Sequence, residues 1–239
     1  MSNRLESGGH PTVSIVTPSY NMARFLGATI DSVLSQSYPH IDYIVMDGGS
    51  TDGTVPLLES YGDRLRWVSQ PDRGQADAIN QGFERTSGSI FAFLNADDLY
   101  CADTIAKAVQ AFQDHPEAGV IYGEGDHIDE AGGTIGPYPT RDFDLDLLAQ
   151  RCFICQPAGF LRREVFSDIG MMDRDLHFAL DYDLWIRAAK KYTLHRINER
   201  LALSRMYRAN KTLRNRVTTF RDTARVLKRH FGYVPYDTA

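Results

Sequence analysis

Two adjacent carboxylates, Asp97 and Asp98, follow a run of apolar residues at positions 90–94 of the 239-residue sequence. The apolar run predicts a buried strand, and the ligands of an open α/β sheet bind beyond the carboxyl ends of its strands. Neighbouring carboxylates are costly to bury there unless a positive charge pairs with them. A divalent cation that carries a phosphate-bearing substrate would supply this positive charge, because Mg²⁺-type ions combine one or two carboxylates with phosphate oxygens. The alternative is a solvated turn that caps the next helix.

Other predicted strands in the first half also end in polar residues. In chain order these are Tyr20 after strand 12–17, Asp47 after strand 43–46 and Arg73 after strand 65–69. Arg73 is placed where a diphosphate could bind. A turn residue at Asp47 and an ordinary surface arginine at Arg73 are the alternatives. The sequence lacks GxGxxG after a strand and lacks GxxxxGK[ST], so metal and arginine, instead of a glycine-rich helix start, would hold a phosphate.

Predicted strands and helices alternate through the first half, which indicates a parallel, doubly wound sheet. The second half is less regular. Glycines at 126–138 predict a hairpin with its turn near residues 130–133, residues 156–161 predict an edge strand, and residues 163–169 a short helix. Asp181 precedes apolar residues at helical offsets. There it can stabilise a helix N-terminus through the dipole, which is as good an explanation as catalysis on local grounds.

Composition excludes several functional classes. A formal net charge of −5 argues against general nucleic-acid binding. There is no run of about eighteen apolar residues, so no membrane span is predicted, and the short polar N-terminus predicts a cytoplasmic protein. Three cysteines include a CxxC spacing at Cys152 and Cys155. No second ligand pair lies at zinc spacing, so we interpret these as ordinary reduced cysteines, with metal or redox chemistry as the alternative.

The last predicted helix, residues 211–231, carries a narrow apolar stripe of Leu213, Val217, Phe220, Ala224, Leu227 and Phe231. From Arg205 to Arg229 the sequence has nine Lys or Arg and one acid, Asp222. A basic amphipathic helix on an acidic protein indicates contact with an anionic membrane, here the inner membrane face. Packing of the helix on its own domain is the equally weighted alternative.

Six segments, taken together and in order, resemble family-2 glycosyltransferases, which are inverting enzymes of the GT-A fold. They are VSIVTPSYN (13–21), IVMDGGSTD (44–52), DRGQADAIN (72–80), FLNADD (93–98), QPAGF (156–160) and DYDLW (181–185). The resemblance implies one Rossmann-like, mostly parallel sheet with helices on both faces, a smaller antiparallel acceptor-side part and the C-terminal amphipathic helix. We divide the chain into a tail (1–11), a nucleotide-sugar half (12–115), an acceptor half (116–209) and the basic helix and tail (210–239).

The resemblance also implies roles for individual residues. It assigns Pro18, Tyr20 and Asp47 to the nucleoside pocket, Arg73 to the nucleotide or its phosphates, Asp97 to sugar or ribose, Asp98 to Mn²⁺ or Mg²⁺, Asp181 to the catalytic base, and Gln156 and Trp185 to the acceptor side. Two positions depart from the family pattern. Gly48 stands where many members have a second aspartate that helps to recognise the base, and Leu180 replaces the glutamate before the catalytic aspartate.

The expected activity is metal-dependent transfer of a sugar, of the hexosyltransferase type, from a nucleoside-diphosphate sugar to a hydroxyl. The metal and Arg73 would neutralise the departing diphosphate while Asp181 deprotonates the acceptor. A lipid-linked or polysaccharide acceptor is the expected partner. The alternatives are a non-catalytic sugar-nucleotide or glycan-binding module, which needs no base, and a nucleotidyltransferase, which would release pyrophosphate.

Overall fold

The structure is a computed structural model that describes residues 10–235, except for the side chains at positions 212 and 213. Most of the predicted tail, residues 1–11, therefore lies outside the described residues. So do the last four residues of the C-terminal segment and the side chain of Leu213, a member of the predicted apolar stripe.

The described strands form one sheet. They are β1 (Val13–Ser19), β2 (Ile41–Asp47), β3 (Arg66–Ser69), β4 (Ile90–Phe93), β5 (Leu99–Tyr100), β6 (Ala118–Ile128), β7 (Thr134–Pro137), β8 (Gly159–Arg162) and β9 (Thr193–Arg205). Their spatial order is β3-β2-β1-β4-β8-β6-β9-β5, with β7 paired to β6. The neighbours among β1 to β4 pair in parallel, as the alternating pattern predicted. Strand β8 is antiparallel to both β4 and β6, whereas β6 and β9 are parallel.

Helices cover both faces of the sheet. The described helices are α1 (Ala23–Leu34), α2 (Thr54–Ser60), α3 (Gln75–Glu84), α4 (Thr104–Asp114), α5 (Leu145–Leu148), α6 (Arg163–Asp168), α7 (Leu180–Ala189), α8 (Lys211–Arg214) and α9 (Arg216–Phe231). Apolar residues of α1, α2 and α4 form the core on one face, and those of α3, α6, α7 and α9 form the core on the other. None of the helices in the described part is long and apolar enough to cross a membrane.

Strand β4 shows why its sequence is apolar without interruption. Ile90 and Ala92 face one core, and Phe91 and Phe93 face the other, so both faces of the strand are buried. Helix α3 packs very closely on the sheet beside it. A Cβ added at Gly82 would lie 2.4 Å from a methyl group of Val16, so this position of α3 requires glycine. These contacts fix the strand ends that carry the polar residues.

Two predictions about the second half are wrong in detail. Residues 156–161 were expected to form an edge strand, but Gln156–Ala158 is a 3₁₀ turn and β8 lies inside the sheet between β4 and β6. Pro157 is accommodated because it lies in the turn and needs no ladder hydrogen bond. The predicted helix 211–231 is divided at Asn215 into α8 and α9. The hairpin was predicted correctly, since Asp129 and Gly133 close the turn between β6 and β7.

Candidate active site

A cleft with a volume of about 860 Å³ opens at the carboxyl edge of β1, β2 and β4. Its walls come from residues 18–22, 72–78, 95–97, 174–177 and 207–215, although not every residue in these stretches lines it. The carboxyl ends of parallel strands meet at one edge, which explains why the first four strand ends converge here. The volume is in the range of small-molecule sites. One wall carries the Ser19 hydroxyl, which is buried and has no hydrogen-bond partner among the described residues.

Asp47 shapes the loop after β2 and does not face the cleft. It is 2% exposed, and its carboxylate accepts hydrogen bonds from the Ser50 amide at 2.9 Å and the Ser69 hydroxyl at 2.6 Å. The Gly49 amide and the Ser50 hydroxyl also donate to it. Pro18 and Tyr20 do line the cleft, and Tyr20 is 61% exposed. The structure therefore brings two of the three predicted nucleoside residues into the cleft and places Asp47 beneath them.

Asp72 lies in the part of the cleft wall next to Gly48. A Cβ added at Gly48 would lie 2.9 Å from Asp72 Oδ2, so the carboxylate occupies space that a side chain at position 48 would need. The Gly74 amide donates to Asp72 Oδ1 at 2.7 Å, and burial raises the pKa of the Asp72 carboxyl. No role was predicted for Asp72, although it begins one of the family-like segments.

Among the described residues, four cationic side chains line the cleft. They are Arg73, Arg174, Lys211 and Arg214. The Lys211 ammonium donates to Gln75 Oε1 at 2.9 Å, and Arg174 pairs with Asp77 at 2.7 Å. Of these residues only Arg73 was predicted, because the others reach the cleft from segments about a hundred or more residues away in sequence. A cleft with this lining attracts an anionic ligand.

Asp97 and Asp98 face different environments. Asp97 lines the cleft, and its Oδ2 accepts a hydrogen bond from the Tyr207 hydroxyl at 3.0 Å. Asp98 is 4% exposed and is not among the residues that line the cleft in the described structure. Its Oδ1 accepts from the Arg205 amide at 2.9 Å and its Oδ2 from the Asn95 side chain at 3.0 Å. Burial and the neighbouring charge of Asp97 raise the pKa of Asp98 to about 8.

These contacts change the interpretation of the acidic pair. The predicted metal ligand Asp98 is turned into the protein, where it connects the end of β4 to the end of β9. Asp97 is the member of the pair that a ligand in the cleft can reach. Neighbouring residues of an irregular loop point in different directions, and no local pattern indicates which of the two carboxylates faces the cleft.

Asp181 is half-buried in the first turn of α7. Burial raises the pKa of its carboxyl, while the Lys211 ammonium and the local backbone amides oppose that effect. Asp181 is not among the described residues that line the cleft, but it interacts electrostatically with Lys211, which does line it. The structure therefore places Asp181 at a helix N-terminus and within electrostatic range of one cleft residue.

Gln156 and Trp185 contribute to the support below the site. Gln156 donates to the Phe93 carbonyl at 2.8 Å and accepts from Asn95 at 2.9 Å, so it ties β4 to the 3₁₀ turn. Trp185 is completely buried, and its ring leaves no space for a side chain at Gly159. A side chain without exposed surface cannot contact an acceptor, so we do not retain Trp185 as an acceptor-binding residue. The described contacts of Gln156 likewise indicate a structural role.

The cysteines form no disulfide. Burial raises the pKa of the Cys152 and Cys155 thiols, which keeps both protonated and unreactive at neutral pH. The interpretation as ordinary reduced cysteines is consistent with this environment.

Comparison with known proteins identifies the family. The model of "Glycosyl transferase family 2" matches residues 14–170. The chain belongs to this family. This family member is 34% identical over 187 residues to the PGL/p-HBAD biosynthesis glycosyltransferase of Mycobacterium tuberculosis, a match that covers 74% of this chain and 69% of the relative. It is also 30% identical over 201 residues to an uncharacterized glycosyltransferase of Rickettsia felis, covering 77% of this chain but only 32% of that relative.

Solved structures confirm the GT-A fold. The chain matches Staphylococcus aureus TarS with a TM-score of 0.68 at 16% identity, covering 93% of this chain and 44% of TarS. It matches a mannosyltransferase from Pyrobaculum calidifontis, solved with GDP-Man and Mn²⁺, with a TM-score of 0.69 at 22% identity, covering 94% of this chain and 64% of the other. The prediction of a sheet flanked by helices, with a C-terminal helix, is thereby confirmed.

Proposed function

We propose that this glycosyltransferase moves a sugar from a nucleoside-diphosphate sugar to a hydroxyl of a lipid-linked or polysaccharide acceptor, with inversion at the anomeric carbon. The main support is the composition of one cleft. It combines the carboxylate of Asp97 with several cationic side chains, and one of these, Lys211, interacts electrostatically with the carboxylate of Asp181. The mannosyltransferase and TarS structures solved with GDP-Man and UDP-GlcNAc are consistent with a donor of this class.

Different parts of the cleft suit different parts of the donor. Tyr20 presents an exposed ring on which a base can stack, and the Asp72 carboxylate can accept an N–H from the base edge. The Ser19 hydroxyl offers an unused hydrogen bond in the same region. Arg73 and Lys211 supply positive charge for the diphosphate. Asp72 therefore replaces the second aspartate that many family members carry at the position of Gly48.

The residues present fit a divalent cation of the Mg²⁺ or Mn²⁺ type. Asp97 offers a carboxylate in the cleft, and its described side-chain partner is the neutral Tyr207 hydroxyl. Such ions need one or two carboxylates and take their other ligands from phosphate and water. When bound, the ion would neutralise charge on the diphosphate leaving group. We therefore assign Asp97 as the metal ligand, and Asp98 as the residue that holds the Asp97 loop.

Asp181 is the proposed general base. Burial raises its pKa, which brings the proton affinity of the carboxylate closer to that of the acceptor oxygen as it attacks. In our mechanism Asp181 accepts the acceptor hydroxyl proton as that oxygen forms a bond to the anomeric carbon. The bond from the anomeric carbon to the diphosphate oxygen breaks, and Arg73 and Lys211 stabilise the departing charge. Single displacement inverts the centre and needs no covalent sugar–enzyme intermediate.

A nucleotide panel tests donor binding. Thermal unfolding should be followed with UDP, GDP, CDP, ADP or dTDP in the presence of Mn²⁺. At a hundredfold excess over the dissociation constant, the matching nucleotide stabilises by about 2.7 kcal/mol, which is about 5–10 °C for a chain of this size. Removal of Mn²⁺ should remove most of the shift. If none of the nucleotides raises the midpoint, the proposed donor class is wrong.

Two arginines that flank α3, Arg73 before it and Arg85 after it, provide a variant and its matched control for this test. Arg73→Ala should weaken binding of the preferred nucleotide by about 1.5–3 kcal/mol, since charge-assisted hydrogen bonds are lost. Arg85→Ala removes an exposed arginine just after the same helix and should leave nucleotide affinity unchanged.

Product analysis distinguishes the alternative functions. Release of nucleoside diphosphate from a donor only when acceptor is added separates a transferase from a binding module. Release of pyrophosphate from a nucleoside triphosphate would instead indicate a nucleotidyltransferase.

The two halves of α9 favour different interpretations of the basic segment, one packing on the domain and the other contact with a membrane. Val226 and Leu227 are fully buried, and His230 pairs with Asp183 at 2.7 Å, so the C-terminal half packs on the domain. The N-terminal half leaves Val217 68% and Phe220 46% exposed. Exposed arginines at positions 214, 216, 221 and 225 surround them. We propose that this half contacts an anionic membrane, which would place the cleft beside a lipid-linked acceptor.

Vesicle flotation tests the membrane contact. The protein should float with vesicles of phosphatidylcholine and phosphatidylglycerol and should not float with phosphatidylcholine alone. Val217→Ser with Phe220→Ser should remove most of the bound fraction. Ile135→Ser is the control, because Ile135 is 60% exposed on the β6–β7 hairpin and lacks the basic surroundings of α9. Equal flotation of the double variant and the unchanged protein would exclude this surface.

A further inference from the structure

A group of metal-binding side chains lies at the edge of the sheet opposite the cleft. His115 ends α4, Glu117 precedes β6, and His195 is the third residue of β9. Strands β6 and β9 run parallel to each other, and β6 runs in the same direction as β4 because β8 is antiparallel to both. The beginnings of β6 and β9 are therefore far from the edge where β4 ends at the cleft.

The two imidazoles are unusually close. The rings of His115 and His195 are stacked with centroids 3.5 Å apart and planes at 24°. Imidazole is the commonest side-chain ligand of metal ions in proteins, and here two imidazoles lie in contact. Glu117 adds a carboxylate whose Oε1 lies 3.4 Å from His115 Nδ1. One ligand atom from each of these residues lies within 4.8 Å of the others.

The backbone around the cluster is held in place from below. The Arg162 guanidinium, which is 9% exposed, donates to the Ala118 carbonyl at 2.8 Å and to the Pro116 carbonyl at 3.1 Å. It also donates to the Phe112 carbonyl at 3.3 Å. This buried cation therefore fixes the turn between α4 and β6 that carries two of the candidate ligands. The backbone of this turn is held in place, and the side chains are the parts that would reorient around an ion.

We propose that His115, Glu117 and His195 form a binding site for a borderline divalent metal ion such as Zn²⁺. Two imidazoles and one carboxylate match the ligand preference of zinc and differ from the all-oxygen preference of Mg²⁺. The ion would connect the α4–β6 turn to β9 and so stabilise the fold away from the cleft. The site is separate from the proposed donor cation and does not depend on the proposed transfer reaction.

Zinc titration of the untagged protein tests the proposal. Calorimetry should be done in millimolar Mg²⁺, which occupies carboxylate sites that prefer hard ions. The expected result is one zinc ion per chain and a rise in the unfolding midpoint with zinc. His195→Ala and His115→Ala should each abolish this binding, and Glu117→Gln, at an exposed position, should weaken it about tenfold or more.

A second histidine pair provides the control. His40 stacks on His10 with ring centroids 5.8 Å apart, so His40→Ala tests for zinc bound by adjacent histidines elsewhere. It should leave the titration unchanged. Because Glu117→Gln changes only a surface carboxylate, its result stands even if a histidine variant folds poorly. Absence of zinc binding in the unchanged protein, or equal binding by the His115, Glu117 and His195 variants, would overturn the proposal.

Discussion

Asp181→Asn should reduce the rate of sugar transfer about a hundred- to ten-thousand-fold while leaving nucleotide binding nearly intact. The amide keeps the shape of the side chain but cannot accept the proton of the attacking hydroxyl, and general-base catalysis contributes in this range. Steady-state transfer and the nucleotide-dependent thermal shift should be measured on the same preparation. Transfer at the unchanged rate would show that Asp181 is not the base.

The pH dependence provides an independent measure of the same residue. A base must be ionised to act, so transfer should fall as pH decreases through the pKa of Asp181. Burial raises that pKa above the ordinary aspartate value, and the fall should therefore begin at a higher pH than for an exposed aspartate. The residual transfer activity of Asp181→Asn should not show this decrease at low pH.

Asp183 provides a control on the same helix. Its buried carboxylate accepts from Arg187 at 2.7 Å and interacts with His230 on α9 at 2.7 Å. Asp183→Asn should lower the free energy of unfolding by about 1–3 kcal/mol, because a buried charged network loses a partner. The rate of sugar transfer per folded molecule should stay unchanged. A rate loss equal to that of Asp181→Asn would indicate that the helix position, and not the base, controls activity.

Asp97→Ala and Asp98→Ala should affect different properties, the first ligand binding and transfer and the second stability. Asp97→Ala should abolish the metal-dependent part of nucleotide binding and reduce transfer at least about a hundredfold, because the carboxylate in the cleft is lost. Its stability should change little, since the described partner is the Tyr207 hydroxyl. Asp98→Ala should instead lower the free energy of unfolding by about 1–3 kcal/mol, because the buried Arg205 amide loses its acceptor.

Calorimetric titration with Mn²⁺ and nucleotide, together with denaturant unfolding, separates these outcomes. Asp98→Asn is a gentler companion variant that keeps the size of the side chain. Should Asp98→Asn lose metal-dependent binding while Asp97→Ala retains it, the original assignment of Asp98 as ligand would be restored.

The first half of the fold could be predicted because its signals are local. The apolar runs of β1 and β4 are buried on both faces, and the first four strands are each followed by polar residues, so Tyr20, Arg73 and Asp97 were placed correctly at one edge. The position of β8 was not predictable in this way. Its antiparallel pairing with β4 and β6 joins residues about forty to seventy positions apart, and its own sequence resembles an edge strand.

The details of the site depend on side-chain direction and on distant segments. No local pattern distinguishes Asp97 from Asp98, since the choice is made by Arg205, which arrives with β9. Lys211 and Arg174 were missed because basic residues outside the strand ends carry no periodic signal. Trp185 was misjudged for a related reason, since only the packing against Gly159 shows that its ring is inaccessible.

The close approach of Asp72 to Gly48 has a consequence for how donor preference could evolve. The Asp72 carboxylate lies 2.9 Å from the place where a Cβ at position 48 would stand, and this carboxylate is the movable end of its side chain. A side chain at position 48 would therefore displace the Asp72 carboxylate from its present position. Because we propose that Asp72 contacts the base, we expect lineages that gain an acidic residue at position 48 to change position 72 as well.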